Sequence, residues 1–158
     1  MTNKIYSLKK LSVLFKQNSF KKKKIILCHG VFDLLHIGHI KHLEKAKKFG
    51  DKLVVTVTAD RFVNKGPGRP AFNENLRSEA IASIGAVDYV AINDSPTAKN
   101  PIKYLKPNIY CKGKDYKQFN DDITGEIKNE IKELKKYGGK IIFTEELTFS
   151  SSRLINRS

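Results

Sequence analysis

Apolar positions in this chain follow two rhythms that alternate along its length. Across residues 5–17, Ile5, Leu8, Leu11, Leu14 and Phe15 recur at helical spacing, which predicts a first helix with Ser7 as its N-cap. Residues 24–29 are a short apolar run, as expected of a strand buried on both faces. A helical pattern around Ile40, Leu43 and Ala46 follows and runs to about Phe49, with Gly50 as a candidate C-cap. The β-branched stretch 53–58 reads as a second strand. Residues 73–85 predict a helix with Leu76, Ala80, Ile81 and Ile84 inward and Arg77 on another face. A third strand over 87–92, a short helix over 98–105 and a fourth strand over 107–111 come next. An amphipathic helix over about 123–137 turns Ile127, Ile131 and Leu134 inward and stops at Gly138-Gly139. The fifth strand is 140–143, and residues 150–156 predict a short closing helix.

Strands alternating with helices imply right-handed crossovers. The expected fold is therefore α/β: a Rossmann-like, doubly wound, five-stranded parallel sheet in a single domain. Residues 1–23 read as an N-terminal helical extension and 24–158 as the domain proper. A length of 158 residues suits one core, and 40% hydrophobic with 29% charged residues excludes a disordered chain. No run of eighteen apolar residues and no signal-peptide pattern occurs, so a soluble, cytoplasmic protein is expected. Cys28 and Cys111, each in a strand-like setting, suit reduced buried thiols better than a disulfide.

Charge narrows the partners. Lysine and arginine outnumber acids 30 to 16, which favours anionic ligands such as nucleotides, sugar phosphates, nucleic acid or an acidic membrane. The lysines are scattered, however, and 21–24 is the only tight run, so neither nucleic acid nor membrane is the expected partner.

The candidate chemistry lies in residues 28–39, Cys-His-Gly-Val-Phe-Asp-Leu-Leu-His-Ile-Gly-His, between the first strand and the next helix. A strand, a glycine turn and a helix N-terminus make a phosphate-binding geometry, because unpaired helix N–H groups and the positive end of the dipole face the ligand. His36 and His39, three apart, share one face of the first turn and could donate to phosphate oxygens, while Gly38 lets the backbone approach. His29 and His42 bring the local count to four, which raises a metal site. No i, i+4 pair with an acid completes a zinc pattern, and no metal-ligating residues are assigned. The absence of a P-loop and of a G-x-G-x-x-G argues against a P-loop kinase and a dinucleotide oxidoreductase. Residues 64–70, rich in glycine and proline with Lys65 and Arg69, read as a mobile basic loop beside a phosphate site.

The run G-x-F-D-x-x-H-x-G-H after a strand resembles the signature of the cytidylyltransferase-like nucleotidyltransferases, which include glycerol-3-phosphate cytidylyltransferase and heptose-1-phosphate adenylyltransferase. Lys65-Gly66-Pro67-Gly68-Arg69-Pro70 is similar to the K-G-x-x-R-P loop of the heptose enzymes. Arg77 with 86–90 (Ala-Val-Asp-Tyr-Val) resembles their R…A-V-D-x-V segment, and 107–116 resembles P-D-x-x-V-K-G-G-D-Y with Lys114 in place of the second glycine. Residues 149–155 resemble the terminal x-S-T-T-x-I-I, with serines for threonines. Where glycerol phosphate enzymes carry an arginine, this chain has Glu145, so the heptose type fits better.

The resemblance implies a nucleotidyl transfer from a nucleoside triphosphate, ATP favoured, to a sugar phosphate such as a heptose 1-phosphate, with release of pyrophosphate. It implies that His36 and His39 donate to the triphosphate and Lys65 neutralises it. Gly30, Val31, Phe32, Asp33, Gly38, Arg77, Lys112 and Asp115 would lie at the nucleotide, with Asp33 fixing the turn or helping to hold the metal-bound nucleotide. Ser150, Ser151 and Ser152 would hold the outer phosphates, and Arg69, Lys114 and Tyr116 would face the acceptor. Mg²⁺ is expected with the triphosphate. A homodimer, and a separate kinase that supplies the acceptor, are further expectations of the resemblance. Three rivals remain: a CTP-dependent enzyme acting on a polyol, amino-alcohol or amino-acid phosphate, a basic nucleic-acid-binding domain, and a class I aminoacyl-tRNA synthetase. The last would need a K-M-S-K-S loop, and the single methionine is Met1.

Overall fold

The computed structural model describes residues 3–64, 66–113 and 126–144. In chain order these form α1 (Leu8–Phe15), β1 (Ile25–Gly30), α2 (Ile37–Lys47), β2 (Lys52–Thr58), α3 (Glu74–Ala82), β3 (Tyr89–Asn93), α4 (Lys99–Leu105), β4 (Ile109–Gly113), α5 (Glu126–Lys135) and β5 (Lys140–Thr144). The five strands pair in parallel in the order β3-β2-β1-β4-β5. This is the doubly wound arrangement expected from the alternation of periods, with its topological switch between β1 and β4.

Each face of the sheet carries its own apolar layer. Ile26, Cys28, Val55 and Val57 point toward Leu43 and Ala46 of α2 and Ile81 of α3. Leu27, Val54, Ala91 and Tyr110 point the other way, toward Leu11 of α1, Ile102 of α4 and Leu134 of α5. Burial of an aliphatic side chain contributes roughly 1.5–3 kcal/mol, so the central strands, apolar on both faces, anchor the fold. Among the described residues no helix is long and apolar enough to cross a membrane.

Several boundaries move for identifiable reasons. The first helix is shorter than 5–17. Ser7 is its N-cap as read, accepting from Lys10 N at 3.1 Å, but the residues before it leave the helix for the sheet edge. Val90 N donates to Lys4 O and Tyr6 N to Val90 O, both at 2.9 Å, and Ile5 bridges Val90. This partly shields the open edge of β3. β3 and β4 each begin two residues later than the apolar runs suggested. At the end of α5, Gly138 takes a left-handed conformation (φ 86) and Gly139 N donates to Leu134 O at 2.9 Å, the stop read from the glycine pair. The first residues of that helix as read (123–125) and the closing helix at 150–156 lie outside the described residues.

Gly50 is not a left-handed cap, since α2 ends at Lys47 with Lys48 as its C-cap and no left-handed φ occurs at Gly50. Its role is space: a Cβ there would lie 2.8 Å from Lys24 O and 2.8 Å from Ile26 Cδ1. The chain must pass this close because Asp51 N and Lys52 N both donate to Lys24 O as β2 begins beside β1.

The orientation of α3 also corrects the reading. Leu76, expected inward, is 50% exposed, whereas Arg77 is 1% exposed. Asn73 caps the helix by accepting from Leu76 N at 2.9 Å, and Arg77 then enters the interior beneath three loops. Its Nε donates to Phe72 O at 2.9 Å, and Nη1 donates to Val31 O at 2.9 Å and Thr58 O at 2.7 Å. Nη2 pairs with Asp60 Oδ1 at 2.6 Å. A buried cation is tolerable only with such saturation.

Three substitutions test these assignments. Gly50→Ala should destabilise the protein by about 1–3 kcal/mol in urea denaturation, because backbone and strand must yield. Gly85→Ala, where a Cβ meets nothing within 4 Å, should be neutral or slightly stabilising. Arg77→Met keeps the volume but orphans three carbonyl oxygens, and should cost about 3 kcal/mol or more; wild-type stability in that variant would contradict the cross-linking role.

Candidate active site

The β1–β4 ladder covers only Ile26↔Ile109 and Leu27↔Tyr110, although β1 runs on to Gly30 and β4 to Gly113. On its other side β1 stays paired with β2 through Gly30↔Val57. The sheet therefore opens at the carboxyl ends of β1 and β4, where an α/β sheet of this order binds ligands. Beneath the opening, the buried thiols of Cys28 and Cys111 lie against each other. Burial pushes the Cys28 thiol well up, and its hydrogen bond to Cys111 draws that thiol down.

The turn after β1 is tightly specified. Phe32 has φ 51, a conformation that a bulky residue adopts only under constraint. It returns the ring under Gly30, where an added Cβ would lie 3.0 Å from the ring, and sets it edge-on to His39 at 5.5 Å. Asp33 turns inward: its carboxylate accepts from Arg69 Nε at 2.5 Å, Ala71 N at 2.9 Å and Phe72 N at 3.1 Å. Burial raises the Asp33 pKa, but the donations from Ala71 and Phe72 N–H and from Arg69 outweigh it and hold the carboxyl below its ordinary value. Asp33 thus fixes the turn, one of the two roles considered for it. Arg69 is clasped by that carboxylate, and Arg77 lies under the loops rather than at their surface.

His36 and His39 build the start of α2. His36 is the N-cap, with extended backbone, and its Nδ1 accepts from Gly38 N at 3.0 Å. His39 Nδ1 accepts from His36 N at 3.2 Å. The rings stack with centroids 3.9 Å apart and planes inclined by 27°. An imidazole that accepts at Nδ1 carries its proton at Nε2 when neutral. The hydrogen-bond pattern therefore assigns both rings the tautomer with an Nε2–H donor directed away from the backbone, and does so with side chains that satisfy helix N–H groups at the same time. Gly38 is buried inside the first turn.

His29 and His42 do not join this pair. His42 Nδ1 lies 2.8 Å from Thr144 Oγ1, linking α2 to the end of β5. His29 Nδ1 lies 2.9 Å from Thr56 Oγ1, and its Nε2 is 3.4 Å from Thr58 Oγ1. Burial, reinforced by the charge of Lys112 and opposed by the bond at Thr56, pushes the His29 pKa down to about 4. His29 is neutral at physiological pH. Among the described residues no group of three or more His, Cys, Asp or Glu side chains could hold a metal ion.

Lys112 stands at the end of β4, 3.8 Å from the Glu130 carboxylate. Glu130, 3% exposed, also accepts from Ala98 N at 3.2 Å at the start of α4. Glu130 was missed in the sequence, although its spacing from Ile127 and Leu134 places it on the inward face of α5. Gly30, Val31, Phe32, Asp33, His36, Gly38 and His39 come together around one turn. Lys65, Lys114, Asp115, Tyr116, Ser150, Ser151 and Ser152 lie outside the described residues.

Comparison with known proteins agrees with this geometry. The family model described as cytidylyltransferase-like matches residues 27–157. Bifunctional protein HldE of Campylobacter jejuni is 46% identical over 116 residues, covering 72% of this chain and 24% of that protein. Its namesake in Geobacter metallireducens is 37% identical over 152 residues, 95% of this chain and 29% of that protein. The chain thus spans about a quarter of the length of these relatives. A lipopolysaccharide core biosynthesis protein from Thermoplasma volcanium superposes with TM-score 0.64 at 29% identity, over 80% of this chain and 99% of that one. A pantoate-beta-alanine ligase from Francisella tularensis, at 16% identity and TM-score 0.68 over 99% of this chain and 74% of that one, shares the fold. The family match begins within β1 and takes in every residue of the histidine turn: the chain belongs to the cytidylyltransferase-like family.

Proposed function

We propose that the protein transfers the adenylyl group of ATP to a sugar phosphate, with a heptose 1-phosphate as the favoured acceptor. The observation that carries this reading is the paired Nε2–H donors of His36 and His39 at the N-terminus of α2, beside the opening between β1 and β4. The likeness to the HldE proteins supports the choice of acceptor. In the reaction, an acceptor phosphate oxygen attacks the α-phosphorus in line. The new P–O bond forms as the bond from the α-phosphorus to the bridging oxygen breaks, and pyrophosphate leaves with that electron pair. The nucleophile is already anionic, so no general base is required, and catalysis reduces to positioning and charge stabilisation.

In this reading the residues divide the work as follows. His36 and His39 donate to the triphosphate, and the N–H groups of α2 add the field of the helix terminus. Arg77 and Asp33 act as positioning residues that hold the loops. Lys112, oriented by Glu130, faces the nucleotide. Lys65, Lys114, Asp115, Tyr116 and Ser150–Ser152 complete the phosphate and acceptor contacts in this reading. In this reading Mg²⁺ arrives on the triphosphate and keeps water ligands, and Asp33 is engaged by three donors of the turn. When bound, that ion would neutralise charge on the phosphate oxygens.

Pyrophosphate release is the test, with ATP, CTP, GTP and UTP crossed against heptose, hexose, polyol and amino-alcohol phosphates in Mg²⁺. ATP with a heptose 1-phosphate is the expected pair, and CTP with any acceptor would move the protein to the cytidylyltransferase reading. His39→Ala should lower kcat about 100-fold or more while the fold is retained. Release from no pair, together with salt-sensitive polynucleotide binding that ignores His39→Ala, would replace the enzyme reading with nucleic-acid binding. Chelation of divalent ions should abolish turnover, and added Mg²⁺ should restore it.

A further inference from the structure

Beside the histidine turn, the carboxyl ends of three adjacent strands carry a row of neutral polar side chains on one face. His29 of β1 is the register partner of Thr56 of β2, and Thr58 of β2 is the partner of Asn93 of β3. These side chains lie on the face that holds Leu27, Val54 and Ala91 further down the same strands. A strand buried on both faces is ordinarily aliphatic throughout, and burying a hydroxyl is unfavourable unless it is well bonded. Yet β2 places Thr56 and Thr58 here, 0% and 5% exposed.

The bonding within the row is uneven. His29 is anchored by the 2.9 Å contact of its Nδ1 with Thr56. Asn93 is held by Thr97 O at 2.7 Å and Ser95 Oγ at 2.6 Å. Thr58 Oγ1, in contrast, makes two long contacts, 3.4 Å to His29 Nε2 and 3.4 Å to Gly30 O. At that length both are weak. His29 is itself partly exposed at the rim. The ring is fixed, while its second nitrogen and the Thr58 hydroxyl can accept a better partner without moving the strands.

We propose that His29 and Thr58 form the subsite that reads the hydroxylated, uncharged part of the phosphorylated acceptor, so that the protein selects polyol and sugar phosphates over phosphates lacking hydroxyls. This rests on the proposed transfer to a phosphorylated acceptor and assigns the residues that recognise it. The charge pattern fits a neutral guest. His29 is uncharged at neutral pH, the Arg77 guanidinium is engaged by Thr58 O, Val31 O, Phe72 O and Asp60, and Lys112 lies 3.8 Å from the Glu130 carboxylate. A phosphate would be better served at the helix terminus, a hydroxyl at this row.

The test compares binding of a heptose 1-phosphate with that of ethyl phosphate by calorimetry in the presence of a non-hydrolysable ATP analogue. Wild type should prefer the sugar phosphate by at least about tenfold, the range of one or two hydrogen bonds to a buried partner. Thr58→Val keeps the shape and removes the hydroxyl. It should reduce that preference to about threefold or less while the analogue's own Kd stays within about twofold. His29→Gln is the second variant, with melting temperature checked for both. Equal preference in wild type and in folded Thr58→Val, or no preference in wild type, would overturn the assignment. Absence of pyrophosphate release from every pair would overturn the proposed reaction instead, and the binding comparison would still decide the subsite.

Discussion

The guanidinium of Arg77 is the constraint on which the upper half of the molecule depends. It joins the carbonyls of Val31 after β1, Thr58 at the end of β2 and Phe72 before α3, and it pairs with Asp60. The segments that follow two adjacent strands are thereby held at fixed separation by one rigid fork. Asp33 works from the opposite side, drawing Arg69, Ala71 and Phe72 toward the turn that precedes α2. Phe72 is engaged by both devices, its carbonyl by Arg77 and its amide by Asp33. The walls around the histidine turn are therefore one cross-braced unit rather than separate loops. That bracing accounts for how Phe32 can remain in a left-handed conformation unfavourable to its bulk.

The start of α2 solves two problems with one pair of side chains. A helix N-terminus needs acceptors for its unpaired N–H groups, and Ser, Thr, Asp or Asn usually supply them. Here His36 and His39 do so through Nδ1, which fixes both the tautomer and the direction of the remaining N–H. A serine would satisfy the backbone equally well, but it would leave no outward donor at a fixed distance from the helix axis. The β1–β4 ladder ends at Leu27 and Tyr110, on the strand that leads into this turn.

Most of the architecture was legible because periodicity reports burial. Strands apolar on both faces and helices apolar on one gave the order of elements, and the histidine motif after β1 marked the candidate site. What escaped was set by tertiary contact. Arg77 was read on a different face from the apolar side chains, and no local pattern reveals that three carbonyls wait beneath it. Leu76 took the reverse error for the same reason. Gly50 looked like a cap, but its requirement is the approach of Lys24 O, which arises only once β1 and β2 lie side by side. Ile5 fitted a helical period, yet a free edge at β3 offered its backbone stronger partners. Glu130 did leave a trace, a carboxylate at an inward position of α5, and its meaning appears only with Lys112 and Ala98 in place.

Charge and neutrality are separated across the site. The chain carries 30 basic residues against 16 acidic ones, but the side chains that line the strand ends beside the histidine turn are mostly uncharged. His29 is held neutral by burial, Thr56 and Thr58 bond to its ring, and Asn93 and Ser95 bond to each other and to Thr97 O. Under the proposed reaction this division has a physical logic. Triphosphate and acceptor phosphate together bring several negative charges, so cations and helix N–H groups belong where phosphorus is transferred. The remainder of the acceptor is neutral, and a lysine beside it would favour any anion over the correct one. Neutral groups with fixed directions discriminate by hydrogen-bond geometry, which distinguishes one hydroxylated molecule from another where charge cannot.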